Sequence, residues 1–412
     1  MLSFPSGIPK PDRLLKPTSP FDVVITCNYS PWSRYKGGAQ KSVHMLASAI
    51  AGEGKKVCVV YSKVPWEKVP LPADLPYQVR WAFFIGIRPS VSSPLRFLNG
   101  LPYLFKVGPL CGPDTILIGN GDEASLLWRI RARRLLVFGS RNTYDDFLMG
   151  CDWTRFSTWL RILFKEPRYV AVALAARRAD VSTCTSAFSL EQLRICFGIP
   201  ETRAAVIPNG LDTLFFETAF KEAGQKGVLF FGRLAANKGA HHALDAYLRL
   251  PQELRRAHPL VFAGDGPLKE KLEKTAREAG AQNQVVFSGW LSSRQLADAI
   301  TGCRLVLLPS LEESFGNAIL ETLATGQNLI STTACAIPEV AGDYGHLVAS
   351  GDVAAMAEAL ARELMRIRSD AEIAEQRSYF QDRFSWRTSG RQYLRLAGPK
   401  PRQAQPAAAG LP

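Results

Sequence analysis

Short apolar runs alternate with longer segments of helical periodicity along almost the whole chain. Residues 21–27, 57–61, 79–84, 115–118 and 135–138 have the length of buried strands and are bounded by polar or glycine-rich turns. The pattern restarts after a turn-forming stretch near residue 208, with strand-length runs at 228–231, 260–266, 285–290, 305–308 and 328–331. Between the runs, apolar residues recur at helical spacing, as in Val43, Leu46, Ala47 and Ile50, or across the amphipathic segment 352–365. Strand, glycine turn and helix in regular alternation predict an α/β chain with two doubly wound, Rossmann-like parallel sheets. The expected organisation is a proline-rich lead-in over 1–20, a first domain over 21–207, a second over 208–378, a segment 379–397 that returns to the first, and a disordered tail over 398–412. A proline-rich stretch from about 89 to 113 reads as irregular and as a candidate acceptor loop.

Length and composition narrow the class. A chain of 412 residues suits two domains of roughly 200 residues each. An apolar share of 47% and a charged share of 21% exclude disordered and collagen-like chains. No apolar run approaches the ~18 residues that span a bilayer, and the N-terminus lacks a basic-then-apolar leader, so a cytosolic protein is expected. The eight cysteines contain no C-x-x-C pair and read as buried, reduced thiols.

Charge adds a partner. Of the net +13, residues 1–206 carry +12, with 27 Lys plus Arg against 15 Asp plus Glu. A basic half meets an anionic membrane surface, a phosphorylated acceptor or nucleic acid, and nucleic acid is the weakest of these because no recognition signature accompanies the charge. Arg129, Arg131, Arg133 and Arg134, continued by Arg155, Arg161, Lys165 and Arg168 among Trp153, Phe156, Trp159 and Phe164, read either as a membrane-facing surface or as a solvated helix face.

The densest chemistry lies between Leu305 and Glu321. Four apolar residues form a strand, a loop with Glu312 and Glu313 follows, and Phe315-Gly316-Asn317 opens a helix that carries Glu321 about a turn and a half inside. Unpaired N–H groups at the helix start suit a phosphate or a sugar hydroxyl, and a carboxylate accepts two hydrogen bonds from vicinal hydroxyls. Taken alone, the two glutamates read first as surface residues, by the usual preference of Glu for the surface, and it is the context that favours a site. Upstream, Arg233 follows the strand at 228–231 and Lys238 stands five residues on, a pair able to converge on one diphosphate. Gly37-Gly38 between the first strand and helix permits close approach of an anion, or simply a tight turn. Gly119-Asn120-Gly121-Asp122-Glu123-Ala124 fits a dinucleotide fingerprint superficially, but it follows a late strand and lacks the acidic residue about 20 positions on.

As a set, these motifs resemble the retaining nucleotide-sugar glycosyltransferases of family 4 (glycosyl transferases group 1). The resemblance runs over roughly residues 21–397 and rests on Glu313-x7-Glu321 within PSLEESFGNAILETLATG, on GRLAANKG at Gly232–Gly239 and on IPNGLD at Ile207–Asp212. It implies a GT-B fold, two Rossmann-like domains facing a central cleft with a C-terminal helix returning to the first. It further implies that Glu313 faces the donor sugar, that Arg233 and Lys238 neutralise the departing diphosphate, and that Glu321 holds the ribose. Phe315, Gly316, Asn317, Gly37 and Gly38 would complete the donor site, and the first domain would take a glycan or lipid-linked acceptor at an anionic membrane surface. The expected activity is transfer of a hexose-type sugar with retention, in cell-surface polysaccharide or glycolipid synthesis, by a cytoplasmic protein peripheral on the inner face of the membrane. No nucleic acid partner, cofactor or metal is expected, and no Asp-x-Asp triplet occurs.

The chain departs from the family at one place. Where many members carry a His after a central strand of the first domain, this chain has Phe138-Gly139-Ser140-Arg141-Asn142, which makes Arg141 and Asn142 the substitute candidates. Two other readings stand beside the transferase: a nucleotide-sugar 2-epimerase of the same fold, for which the first half offers no obvious proton-abstracting set, and a noncatalytic membrane- or sugar-binding protein. Neither Glu313 nor Arg233 is lost, as the noncatalytic reading would require. For a Trp290 that follows a strand and Gly289, the expectation is a core side chain with its backbone near the nucleobase.

Overall fold

The computed structural model describes residues 19–33, 38–85, 98–138, 154–157, 160, 167–218, 220 and 226–398. Gly37, Arg141 and Asn142 lie outside the described residues, as do most of the basic and aromatic side chains between 141 and 168.

The first sheet contains β1 (Val23–Cys27), β2 (Val57–Lys63), β3 (Gln78–Phe83), β4 (Ile116–Asn120), β5 (Arg134–Phe138), β6 (Val181–Cys184) and β7 (Ala204–Val206). Its order is β3-β2-β1-β4-β5-β6-β7, and every pairing is parallel. The second contains β8 (Val228–Phe231), β9 (Leu260–Ala263), β10 (Val285–Phe287), β11 (Leu305–Leu308), β12 (Leu329–Thr332) and β13 (His346–Val348). Its order is β10-β9-β8-β11-β12-β13, again all parallel. Helices cover both faces of a parallel sheet, so its central strands are predominantly apolar, and β1, β8 and β11 are buried at every residue. Strand order reverses between β1 and β4 in one sheet and between β8 and β11 in the other. In open α/β sheets that reversal leaves a crevice at the carboxyl ends of the strands, the usual place for a ligand.

The two halves are tied by the chain's end. Helix Trp386–Leu396 lies against helix Gly38–Gly52 of the first domain, and Tyr393 Oη and Thr183 Oγ1 are 2.9 Å apart in its buried seam. Arg387 and Arg391 both reach Glu53, at 2.8 and 3.0 Å, and Arg134 donates to Leu396 O at 2.9 Å. The sequence reading began this return at Tyr379. In the structure helix Asp370–Arg383 stays with the second domain, where Phe380 is in its core and Gln376 donates to Leu323 O and Gln327 O. The chain crosses at Phe384–Ser385, where Leu211 N donates to Phe384 O at 2.8 Å and Gly210 leaves no room for a side chain against Trp386.

One other expectation changes. The stretch expected to be irregular over 89–113 holds helix Gly100–Val107, whose Pro102 sits in the first turn, where a missing N–H costs no helical hydrogen bond. The GNGDEA segment opens no α-helix: Asp122–Arg129 is a 3₁₀ turn, and Glu123 folds back so that its Oε1 accepts from Asn120 N at 2.8 Å. Among the described residues no helix is long and apolar enough to cross a membrane.

Candidate active site

The second domain's crevice is assembled by backbone contact between two loops. Gly239 has φ 67°, and a Cβ there would fall 1.8 Å from Pro309 O, so only glycine allows the turn after β8 to press against the loop after β11. Asn237 O accepts from Leu311 N at 2.9 Å and locks the same pair of loops. The consequence is chemical: Lys238 Nζ lies 2.5 Å from Glu313 Oε1, with the Glu313 side chain only 14% exposed. Ser310 Oγ lies 3.4 Å from the same oxygen, and Glu313 O accepts from Ala336 N at 3.1 Å. A partly buried ion pair in a crevice holds a cation and a carboxylate at one point.

Beside the pair, helix Asn317–Ala324 starts at Gly316, whose φ of 91° only glycine adopts without strain. Among the described residues no side chain caps this start, so its first amides carry partial positive charge. Asn317 and Ala318 line both a cavity of about 170 Å³ that contains Lys238 and Glu313 and a neighbouring one of about 410 Å³. Asn317 Oδ1 accepts from Asn209 Nδ2 at 3.2 Å, and its Nδ2 would lie 3.9 Å from a Cβ on Gly38 of the first domain. Phe315, expected in the donor site, turns the other way: it is 4% exposed and packs edge-on to Phe384 at 6.1 Å, anchoring the helix start to the core.

The larger cavity lies between the domains, with Gly38, Lys41 and Met45 on one side and Gly232, Trp290, Asn317 and Glu321 on the other. Burial pushes the Glu321 carboxyl up to about 7, moderated by Lys41 and raised further by Asp212. Lys41 and Asp212 themselves pair across the domains at 3.7 Å. Trp290 was expected in the core and is 67% exposed at the cavity wall. The cause is its position: β10 is an edge strand that stops at Phe287, and Gly289 at φ 72° turns the chain away from the sheet. Arg233 is exposed on the loop directly after Gly232 and lines neither cavity, although Gly232 lines both. Sequence reasoning missed Lys41, Asp212 and Trp386 as cavity residues; the only signal was that Asp212 ends the IPNGLD turn.

Two parallel sheets with their crevices facing one interdomain cleft, and a cation, a carboxylate and an uncapped helix start on one wall, have the GT-B arrangement, and the family matches that follow make it that of a glycosyltransferase. The comparisons agree over nearly the same span. Residues 36–214 match the model of Glycosyltransferase Family 4, and residues 213–379 match that of Glycosyl transferases group 1. Glycogen synthase of Mycobacterium tuberculosis is 29% identical over 346 residues, 79% of this chain and 81% of that protein. A 2-deoxystreptamine N-acetyl-D-glucosaminyltransferase of Niallia circulans is 30% identical over 61% of this chain and 62% of its own length. Among solved structures, Anabaena HepE in complex with UDP and glucose shares the fold with TM-score 0.67 and 20% identity, covering 91% of this chain and 99% of that one.

Proposed function

We propose that the chain transfers a hexose-type sugar from a nucleotide-diphosphate sugar to a hydroxyl of a glycan or lipid-linked acceptor, with retention of configuration. The observation that carries this reading is the Lys238–Glu313 pair beside the uncapped start of helix Asn317–Ala324, opening onto the interdomain cavity. The diphosphate takes the helix amides and Lys238, with Arg233 closing from the rim. Its arrival competes with Glu313 for Lys238 and frees the carboxylate to face the sugar. The nucleoside runs into the larger cavity, where Glu321 accepts the ribose hydroxyls and Trp290 offers an aromatic face to the base. As the C–O bond to the diphosphate breaks, charge builds on the leaving oxygens, where these groups stabilise it more than in the ground state. The acceptor hydroxyl attacks the oxocarbenium-like sugar from the same face and gives its proton to the departing phosphate. No metal is needed for this charge balance.

The relatives point to the same donor class: HepE was solved with UDP-glucose, and an Escherichia coli trehalose-6-phosphate protein with UDP-2-fluoro glucose. A lipid surface suits the first domain, which carries nearly all of the net positive charge and where Arg131, Arg133 and Phe156 are each exposed. The test is a thermal-shift panel with UDP, GDP, ADP, CMP and the UDP- and GDP-sugars, in chelator. We expect one nucleoside diphosphate to raise the midpoint and Arg233→Ala to abolish the shift, because a ligand of the native state alone must stabilise it. No shift with any nucleotide overturns the donor assignment, and failure to float with anionic vesicles overturns the membrane one.

A further inference from the structure

Away from the cavities, the domains meet at a second point, on the backbone of the Glu313 loop. Helix Ala187–Phe197 of the first domain begins after Ser186, whose hydroxyl accepts from Ser189 N, closing the third N-terminal amide. Among the described residues the first two amides have no partner in their own domain. They donate across the interface to the carboxylate of Glu339, Ala187 N at 2.9 and 2.8 Å to its two oxygens and Phe188 N at 3.4 Å. From the same helix start, Ser186 Oγ and Ser189 Oγ both donate to Ser314 O, at 2.7 and 2.8 Å. Ser314 follows Glu313, and Glu313 O is held by Ala336 N, three residues before Glu339. One helix end in the first domain therefore grips both the peptide after Glu313 and the short helix Ile337–Ala341 that braces it.

The physical consequence is a coupling. A carboxylate at a helix N-terminus gains from the amide hydrogen bonds and from the dipole together. When the domains separate, the helix amides and Ser314 O must all find water at once, and the Glu313 loop loses its two side-chain anchors. Several weak bonds broken together make a two-position contact rather than a graded one. We propose that Ser186, Ser189 and Glu339 form an interdomain latch: closing the cleft and fixing the Glu313 backbone for transfer are one event. These are positioning residues, since none lines either cavity. The link to catalysis rests on the role given above to Glu313; the latch itself does not.

The experiment separates the two. Glu339→Ala, Glu339→Gln and Ser189→Ala are compared with the parent by amide hydrogen exchange, by small-angle scattering, and by kcat, KM and nucleotide-diphosphate binding. Ser189→Ala removes one hydroxyl to Ser314 O and leaves the Ser186 cap in place, so it guards against a trivial folding loss. We expect the Ala187 and Phe188 amides to exchange at least about tenfold faster in Glu339→Ala and the scattering radius to grow, with no ligand present. We expect kcat to fall about tenfold with nucleotide binding unchanged, and Glu339→Gln, which keeps one acceptor oxygen, to recover part of it. Unchanged exchange and radius overturn the latch. Faster exchange with full kcat overturns the coupling to Glu313 while leaving the contact. A protein that binds no nucleotide yet shows the exchange and scattering changes sinks the donor assignment, not the latch.

Discussion

The two crevices are topological twins used in opposite ways. In the second domain the carboxyl ends of β8 and β11 present an exposed Arg233, a Lys238 ion-paired with Glu313, and a helix start without a side-chain cap among the described residues. In the first, the carboxyl ends of β1 and β4 are filled by the chain's own polar groups. Glu123, wholly buried, accepts from Asn120 N at 2.8 Å and Thr26 Oγ1 at 3.2 Å. Asp122 accepts from Asn28 Nδ2 at 2.8 Å and Asn99 Nδ2 at 3.2 Å, and Tyr103 Oη donates to Cys27 O at 2.8 Å. The fold supplies a crevice at each reversal of strand order, and side chains decide which stays open to an anion. A network whose donors are already spent on the chain's own oxygens offers a phosphate no partner, whereas a lysine draws one.

The largest effect should come from the open crevice. Glu313→Gln removes the carboxylate but keeps the volume, and we expect kcat to fall by roughly 10²–10³, the cost of losing one preorganised electrostatic group. Nucleotide-diphosphate binding should hold or tighten, because Lys238 is no longer neutralised by its 2.5 Å partner. Equal loss of binding and rate would mean that Glu313 serves the fold, and the contrast between the crevices would collapse.

A smaller effect, on stability alone, should come from the closed crevice. Glu123→Ala strands Asn120 N–H and Thr26 in a dry site, costing about 1–3 kcal/mol, with nucleotide binding unmoved. Burial and Asp122 hold the Glu123 carboxyl well above the ordinary carboxylate range. The folded chain therefore keeps a proton that the unfolded chain releases above pH 4.5, and this group's contribution to stability declines as pH rises from there toward its raised folded value. Glu123→Gln should remove that slope in urea titrations at successive pH values. A Gln variant with the parent's full pH dependence would show that the acid-range slope arises elsewhere.

Much of the open crevice was legible in sequence because each of its parts is local. A strand, a loop glutamate, Gly316 and the next helix all lie between Leu305 and Glu321, and a window of six residues carries Arg233 and Lys238. That Lys238 and Glu313 touch is long-range, yet it too leaves a trace in Gly239, the only residue type that tolerates the approach of Pro309. What could not be read depends on packing between distant segments. Phe315 and Trp290 are both aromatics beside glycines, and only the tertiary surroundings send one inward and leave the other at the cavity wall. Tyr379 and Phe380 carry the same apolar character as the returning helix, so the crossing at Phe384–Ser385 is invisible until the second core is assembled. Glu339 carries no local signal of its role because its partners lie some 150 residues away, Ala187 N at a separation of 152.

The smallest predicted effect lies where the crevices meet, at Glu321. Its carboxyl is pushed up to about 7, first by burial, with Lys41 pulling it down and Asp212 up. Between its ordinary 4.5 and that value the folded chain holds a proton that the unfolded chain has given up, so this group's contribution to stability declines as pH rises through that window and is level above it. Glu321→Gln has no such proton. Its melting midpoint should match the parent's near pH 4.5 and exceed it by pH 8, the gap opening across the window. Nucleotide binding should run the opposite way in the parent, tightening as pH rises through about 7, since only the ionised carboxylate accepts from both ribose hydroxyls. Comparing a ribonucleoside diphosphate with its deoxy analogue isolates that contact. If the parent's preference for the ribose form is the same at pH 6 and pH 8, Glu321 does not hold the sugar of the nucleotide, and the cavity's second carboxylate is there to pair with Lys41.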